Sequence, residues 1–248
     1  MFLWLLTPIL AYNWLLVIAA VVPAIVLLVK VYRSDRLERE SPYLIGSLVV
    51  SGILSTFFAL ISERIFSALL AYVFQTETTA YNVILYFCVV GISEELSKYV
   101  LLRKRTWRNC EFNCQYDGIV YATAVSLGFA LWENISYVTM YGFSTALVRA
   151  VTAIPGHACF GVFMGVFYSL AKSNDYMGNK GRSDFFNILA VVVPVLLHGS
   201  YDYIASLEVQ NSSWIFIIFV LALFLVSFIL VHRMAKNDRY IARPWMAR

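Results

Sequence analysis

The sequence predicts an all-α, polytopic membrane helix bundle, and three observations carry that expectation. Sixty per cent of its 248 residues are hydrophobic, and the mean hydropathy is +0.72. Only 14% are charged, against about a quarter in soluble domains. Several runs reach the roughly 20 apolar residues that span a hydrocarbon core. They leave no room for a sizeable soluble domain, so residues 1–248 read as one integral membrane domain. The net charge of +4 is small, and its basic residues fall between the apolar runs. They read as topology signals, and nucleic acid is not an expected partner.

Taken in order, the apolar runs place about seven spans, at 9–30, 42–68, 81–102, 116–140, 146–171, 185–205 and 213–232. The first run lacks a basic leader and stays apolar to Val29, so it reads as a span and not as a signal peptide. Basic residues alternate between connections. Lys30, Arg33, Arg36 and Arg39 follow the first span; Arg103, Lys104, Arg105 and Arg108 follow the third. Lys172, Lys180 and Arg182 follow the fifth, and Arg233, Lys236, Arg239, Arg243 and Arg248 form the tail. The second and sixth connections have none, and the fourth has Arg149 only at its end. The positive-inside rule then puts the N-terminus outside and the C-terminus in the cytoplasm. The expected location is the plasma or inner membrane, with the bilayer itself as a partner. Four cysteines are too few for a disulfide framework. Cys88 and Cys159 read as packed thiols, and Cys110 with Cys114 as a weak metal or redox pair.

The exceptions inside the spans are costly, at about 2.5–3.5 kcal/mol for an Asp, Lys or Arg at a helix centre. Span three carries Glu94, Glu95 and Lys98, span four Glu133, span five His157, and span six His198 and Asp202. Intramembrane ionisable groups ordinarily face the bundle interior and serve function. Glu94 with Lys98, Phe129 with Glu133, and His198 with Asp202 are each four apart, so each pair shares a helix face. Ala122, Ser126, Phe129 and Glu133 form one stripe whose small members allow close helix approach. Pro155 and Pro194 suggest kinks beside the two histidines. The plain alternatives are a buried Glu94–Lys98 salt bridge and packed, hydrogen-bonded histidines. Asp117, Glu63, Arg64 and Arg149 lie near span ends and read as snorkelling to the interface.

This set suits the activation of water. A carboxylate in a dry pocket is a competent general base, and imidazoles can donate to an oxyanion or a leaving amine. There is no His-Glu-x-x-His zinc motif, and Ser93 and Ser97 have no histidine nearby in sequence. Glu94-Glu95-Leu96-Ser97-Lys98 resembles the Glu-Glu-x-x-Lys motif of the PrsW family. The stretch from Asp117 to Asn134 is similar to that family's Phe-x-x-x-Glu span, through Phe129 and Glu133. His157 falls where the family has an isolated histidine, and His198-Gly199-Ser200-Tyr201-Asp202 resembles its His-Gly-x-x-Asp.

The resemblance covers roughly residues 85–205, and the expected protease-like core is about 81–205. It implies an intramembrane endopeptidase, in a superfamily with CAAX prenyl endopeptidases and bacteriocin-immunity proteins. The expected substrate is a single-span membrane protein, of the anti-sigma-factor kind. The implied catalytic set is Glu94, Glu95, Lys98, Glu133, His157, His198 and Asp202, with Glu94 or Glu95 as base. For a metal the expectation is narrowly a zinc ion, with Glu133, His157, His198 and Asp202 as candidate ligands. The competing classes are a proton- or ion-coupled transporter and a catalytically silent scaffold or immunity protein.

The loop alternation predicts a labelling pattern. Cysteines introduced within 72–80 and 206–212 should react with an impermeant thiol reagent from one membrane face, and those within 103–115 and 172–184 from the other. Reaction of both sets from one face would rule out the seven-span topology.

Overall fold

A computed structural model of the chain describes residues 14–74, 76 and 78–241, the side chains of 14–16 and 19 excepted. The start of the first expected span and the tail residues Arg243 and Arg248 lie outside the described residues. The fold is all-helical. Helix α1 is Trp14–Arg33, α2 is Pro42–Val73, and α3 is the short Thr79–Val83. A π-helical segment, Ile84–Gly91, leads into α4, Ile92–Thr106. Then come α5 (Asp117–Tyr141), α6 (Phe143–Val151), α7 (Ala153–Tyr176), α8 (Lys180–Ala205) and α9 (Ser212–Lys236). Five stretches are long and apolar enough to cross a membrane: α2, α5, α6–α7 taken together, α8 and α9.

Local chemistry explains the boundaries. Ser41 caps α2 by accepting a hydrogen bond from the Leu44 amide at 3.2 Å, with Pro42 at the first helical position. The expected fifth span, 146–171, is not continuous. Thr152 breaks it, with φ −120° and ψ −72°. Three residues later, the Pro155 ring would clash with the carbonyl four positions back. Pro155 therefore stands in the first turn of α7, and the expected kink beside His157 becomes a change of helix. Pro194 lies within α8, which continues through it. The π-helical segment carries no sequence signal that was recognised; such segments are frequent at functional sites.

Helix α5 is the centre of the bundle, packed on α1, α2 and α7, while α8 packs along α7 and α9 leans on both. Glycines let these helices touch backbone to backbone. A Cβ on Gly52 would lie 2.0 Å from the Val125 carbonyl oxygen, and one on Gly128 would lie 2.2 Å from that of Val49. On the other side of α5, a Cβ on Gly165 would meet the Gly118 carbonyl at 2.5 Å, and one on Gly161 would meet Ser126 Oγ at 2.8 Å. The small residues expected on α5 therefore do admit a neighbouring helix, through Ser126.

The basic connections gather at one end. Ser41 N donates to Glu111 Oε2, Asn113 Nδ2 to Glu38 Oε2, Gln115 N to the Arg239 carbonyl and Tyr116 N to Asp238 Oδ1. Gly142 and residues 206–211 connect helices at the opposite end.

The close α2–α5 crossing predicts that Gly128→Val destabilises the protein by about 3 kcal/mol or more, because backbone atoms block the new side chain. Gly46→Ala, on the same helix α2 with nothing within 4 Å of the new Cβ, should leave stability unchanged or slightly raised. Thermal unfolding of both variants in detergent checks the contrast.

Candidate active site

The residues singled out in spans three to six form one connected cluster. The Lys98 ammonium, fully buried, donates to Glu95 Oε1 at 2.7 Å and to Glu94 Oε2 at 3.2 Å. It also lies 3.2 Å from His157 Nδ1 and 4.0 Å from the centre of the Phe129 ring. An ammonium only donates, so His157 Nδ1 accepts from it. The other ring nitrogen, Nε2, then donates to Glu133 Oε2 at 2.8 Å. His198 is bracketed in the same way. Its Nδ1 is 2.8 Å from Glu95 Oε1, and its Nε2 is 3.3 Å from Asp202 Oδ2, one turn along α8. The two imidazole rings lie 5.2 Å apart and nearly perpendicular, and Phe160 stacks on His198. The Glu94–Lys98 and His198–Asp202 pairs thus form, and both histidines are tied to carboxylates from other helices.

One cation and one carboxylate extend the site beyond what the sequence suggested. Arg149, expected to snorkel, pairs with Glu133 through Nη2 at 2.9 Å and donates from Nε to Asn134 Oδ1 at 3.0 Å. It is therefore the cationic neighbour that no residue near Glu133 in sequence supplies. It arrives because α6 is a separate helix that ends at Val151, before the break at Thr152. Glu63, also expected at the interface, lines the same cavity as Glu133 and Asp202. The signal was available in helix length: α2 runs to Val73, which leaves Glu63 ten residues from its end. Of the four residues read as interfacial, Arg64 alone is exposed, and Asp117 is fully buried. Ser97 Oγ donates to the Ser93 carbonyl at 2.6 Å, so it is not poised as a nucleophile. Cys110 and Cys114 are free thiols, as are Cys88 and Cys159; Cys110 and Cys88 are exposed, the other two buried.

A cavity of about 470 Å³ opens onto the cluster, lined among others by Glu63, Glu94, Glu133, His157, His198 and Asp202. It extends past Tyr137 and Arg149 to Ser206, at the non-basic end of the bundle. Glu95 and Lys98 lie behind its wall. The glutamate pair is thereby divided into one carboxylate that faces the cavity and one enclosed between Lys98 and His198.

Within this cluster, the donors that converge closely enough to share a metal ion, all within 4.8 Å, are Glu94, Glu95, His157 and His198. The four candidates expected from the sequence are thus only half represented. Glu133 and Asp202 instead bond the outer nitrogens of the histidines. Carboxylates in that position orient and polarise metal-binding imidazoles. Glu95 Oε2 is buried without a hydrogen-bond partner among the described residues, so this donor set has coordinating capacity to spare. Its chemistry, two imidazoles with carboxylate oxygen, fits a zinc-type ion.

The chain matches a family model described as PrsW family intramembrane metalloprotease over residues 40–231. It is similar to Protease PrsW of Bacillus subtilis, 33% identical over 224 residues that cover 90% of this chain and 95% of that protein. Protease PrsW of Halalkalibacterium halodurans is 32% identical over 230 residues, 90% of this chain and 99% of the relative. Protease PrsW of Clostridioides difficile is 29% identical over 219 residues, 86% of this chain and 88% of the relative. No solved structure matches the chain. With five helices fit to cross a membrane and a polar site enclosed among them, the chain is a multi-pass membrane protease, and it belongs to the PrsW family of intramembrane metalloproteases.

Proposed function

We propose that the chain hydrolyses a peptide bond of a single-span membrane protein, of the anti-sigma-factor kind, with Glu94 as the general base. The observation that carries the assignment is the division of the glutamate pair. Glu94 lines the cavity and takes only the longer of the two Lys98 contacts, whereas Glu95 is fully enclosed. A water in the cavity loses its proton to Glu94 as its oxygen attacks the scissile carbonyl carbon. Glu94 then returns that proton to the leaving nitrogen as the C–N bond breaks. His198, held by Glu95 through Nδ1, turns its Nε2–H from the longer 3.3 Å contact with Asp202 to the developing oxyanion. Glu133, held by Arg149, fixes His157 on the other wall.

Among the converging donors, His157, His198 and Glu95 would hold a divalent cation through the inner ring nitrogens and the orphaned carboxylate oxygen, leaving Glu94 free. When bound, such an ion supplies Lewis-acid polarisation of the carbonyl and a more acidic water. Lys98 supplies the positive charge between the same donors in the present arrangement.

The protein crosses the membrane in seven spans with the N-terminus outside, placed in the plasma membrane. Meeting of the basic loops at one end of the bundle supports this reading. The cavity then opens toward the outer face. Glu133 lies eight residues from the end of α5 at Tyr141, about 12 Å at 1.5 Å per residue. The hydrolytic core occupies residues 81–205. Among the described residues the histidine–carboxylate bonds stay within this one cluster, which favours hydrolysis over proton-coupled transport.

Two measurements test the assignment. Glu94→Gln should insert and fold yet lose about 10²–10⁴-fold in kcat on a membrane-anchored peptide substrate; near-normal turnover would remove Glu94 as the base. Metal analysis of purified protein should find one divalent ion that disappears, together with activity, in His157→Ala and His198→Ala. Full activity in metal-free protein would make this a glutamate-dependent hydrolase without a metal.

A further inference from the structure

At the basic end of the bundle lies a second group of buried acids, remote from the catalytic cluster. Asp35 and Glu40 belong to the connection between α1 and α2, and Asp117 opens α5. They are 3%, 4% and 0% exposed, and one oxygen from each lies within 4.8 Å of the other two. Along α5, Asp117 precedes Glu133 by 16 residues, a rise of about 24 Å, so the two groups do not share a site.

The surroundings supply too few donors. Asp117 Oδ2 accepts from the Asn113 and Cys114 amides at 2.9 and 2.6 Å, and Glu40 Oε2 accepts from Tyr121 Oη at 2.5 Å. The remaining oxygens do worse. Both oxygens of Asp35, Oδ1 of Asp117, Oδ1 of Asn113 and Oδ2 of Asp238 are buried without a hydrogen-bond partner among the described residues. The Leu37 and Glu38 amides lie beside Asp35 without closing a bond of good geometry. No Lys, Arg or His nitrogen among the described residues approaches Asp35, Glu40, Asp117 or Asp238 within 4.0 Å; Arg39 acts on Asp35 only from farther away. Isolated buried carboxylates cost several kcal/mol each.

We infer that Asp35, Glu40 and Asp117 form a binding site for a hard divalent cation of the magnesium or calcium class. Every available donor is an oxygen, the ligand type those ions take. The nearby Cys114 thiol is not among the converging donors. An excess of acceptors over donors calls for a positive charge. One cation satisfies several oxygens at once, where each hydrogen bond satisfies one. The ion would join two segments distant in sequence, the α1–α2 connection and the start of α5. The tail already reaches this point, since Asp238 Oδ1 accepts from Tyr116 N and Ile241 N donates to the Asn113 carbonyl at 2.6 Å.

The test is thermal unfolding of the full chain in detergent after chelation, with Mg²⁺, Ca²⁺ or Mn²⁺ added against K⁺ at matched ionic strength. A hundredfold excess over the dissociation constant should raise the midpoint by about 5–10 °C. The rise should vanish in Asp35→Asn and in Glu40→Gln, and persist in His198→Ala, which alters the catalytic donors only. No rise specific to divalent ions, or a rise that survives in the Asp35→Asn/Glu40→Gln double variant, would overturn the site. A rise lost in His198→Ala would assign the effect to the catalytic cluster and overturn it equally. Should the acidic variants fail to fold, terbium luminescence sensitised by tyrosine in the His198→Ala protein decides the matter. Emission that Ca²⁺ or Mg²⁺ displaces supports the site, and absence of sensitised emission removes it.

Discussion

The ammonium of Lys98 is the interaction on which the rest of the site depends. In a medium of low dielectric constant, carboxylates from α4, α5 and α8 cannot stand together unless fixed positive charge stands between them. Lys98 supplies it by contacting Glu94, Glu95 and His157 at once, and Phe129 closes the remaining side with its ring face. From that point the order propagates outward. His157 is left with one nitrogen to give to Glu133, which Arg149 holds; Glu95 orients His198, which Asp202 completes. These eight ionisable residues are one electrostatic unit, and removing one member alters the partners of the others.

That unit requires helices close enough for side chains of ordinary length to meet. The requirement is met at glycine positions where carbonyls of the neighbouring helix occupy the space of an absent Cβ. Membrane helices gain little from the hydrophobic effect on pairing, so this packing, with interhelical hydrogen bonds, does much of the association. α5 gains from it on two sides, and it carries Phe129 and Glu133 into the centre.

Much of this was legible in the sequence, because the bilayer punishes buried charge and so makes each exception conspicuous. Glu94, Glu95, Lys98, Glu133, His157, His198 and Asp202 all stood out, and the spacing of His198 and Asp202 foretold their bond. What the sequence left out follows from tertiary geometry. Arg149 meets Glu133 only because the chain breaks at Thr152. Glu63 reads as interfacial until α2 proves longer than its apolar run. The difference between Glu94 and Glu95 is one of rotation about a helix preceded by a π-helical turn, and adjacent identical residues carry no sign of it. Likewise, the ligand set drawn from nitrogen and oxygen chemistry included His157 and His198, whose rings lie 5.2 Å apart. It could not see that Glu133 and Asp202 reach their outer nitrogens.

The α2–α5 crossing also constrains how this bundle can diverge. Where two side chains collide, a larger residue on one helix can be offset by a smaller one on the other. At Gly52 and Gly128 the obstacle is the backbone of Val125 and Val49, and no substitution shrinks a carbonyl. These positions have no second-site remedy, so drift there is closed in both directions at once. Outward faces such as those of Ile218, Leu221 and Leu225 on α9, which are exposed, admit any apolar replacement. Sequence change in such a protein is therefore channelled to its lipid-facing periphery, while its axis stays fixed by atoms that mutation cannot reach.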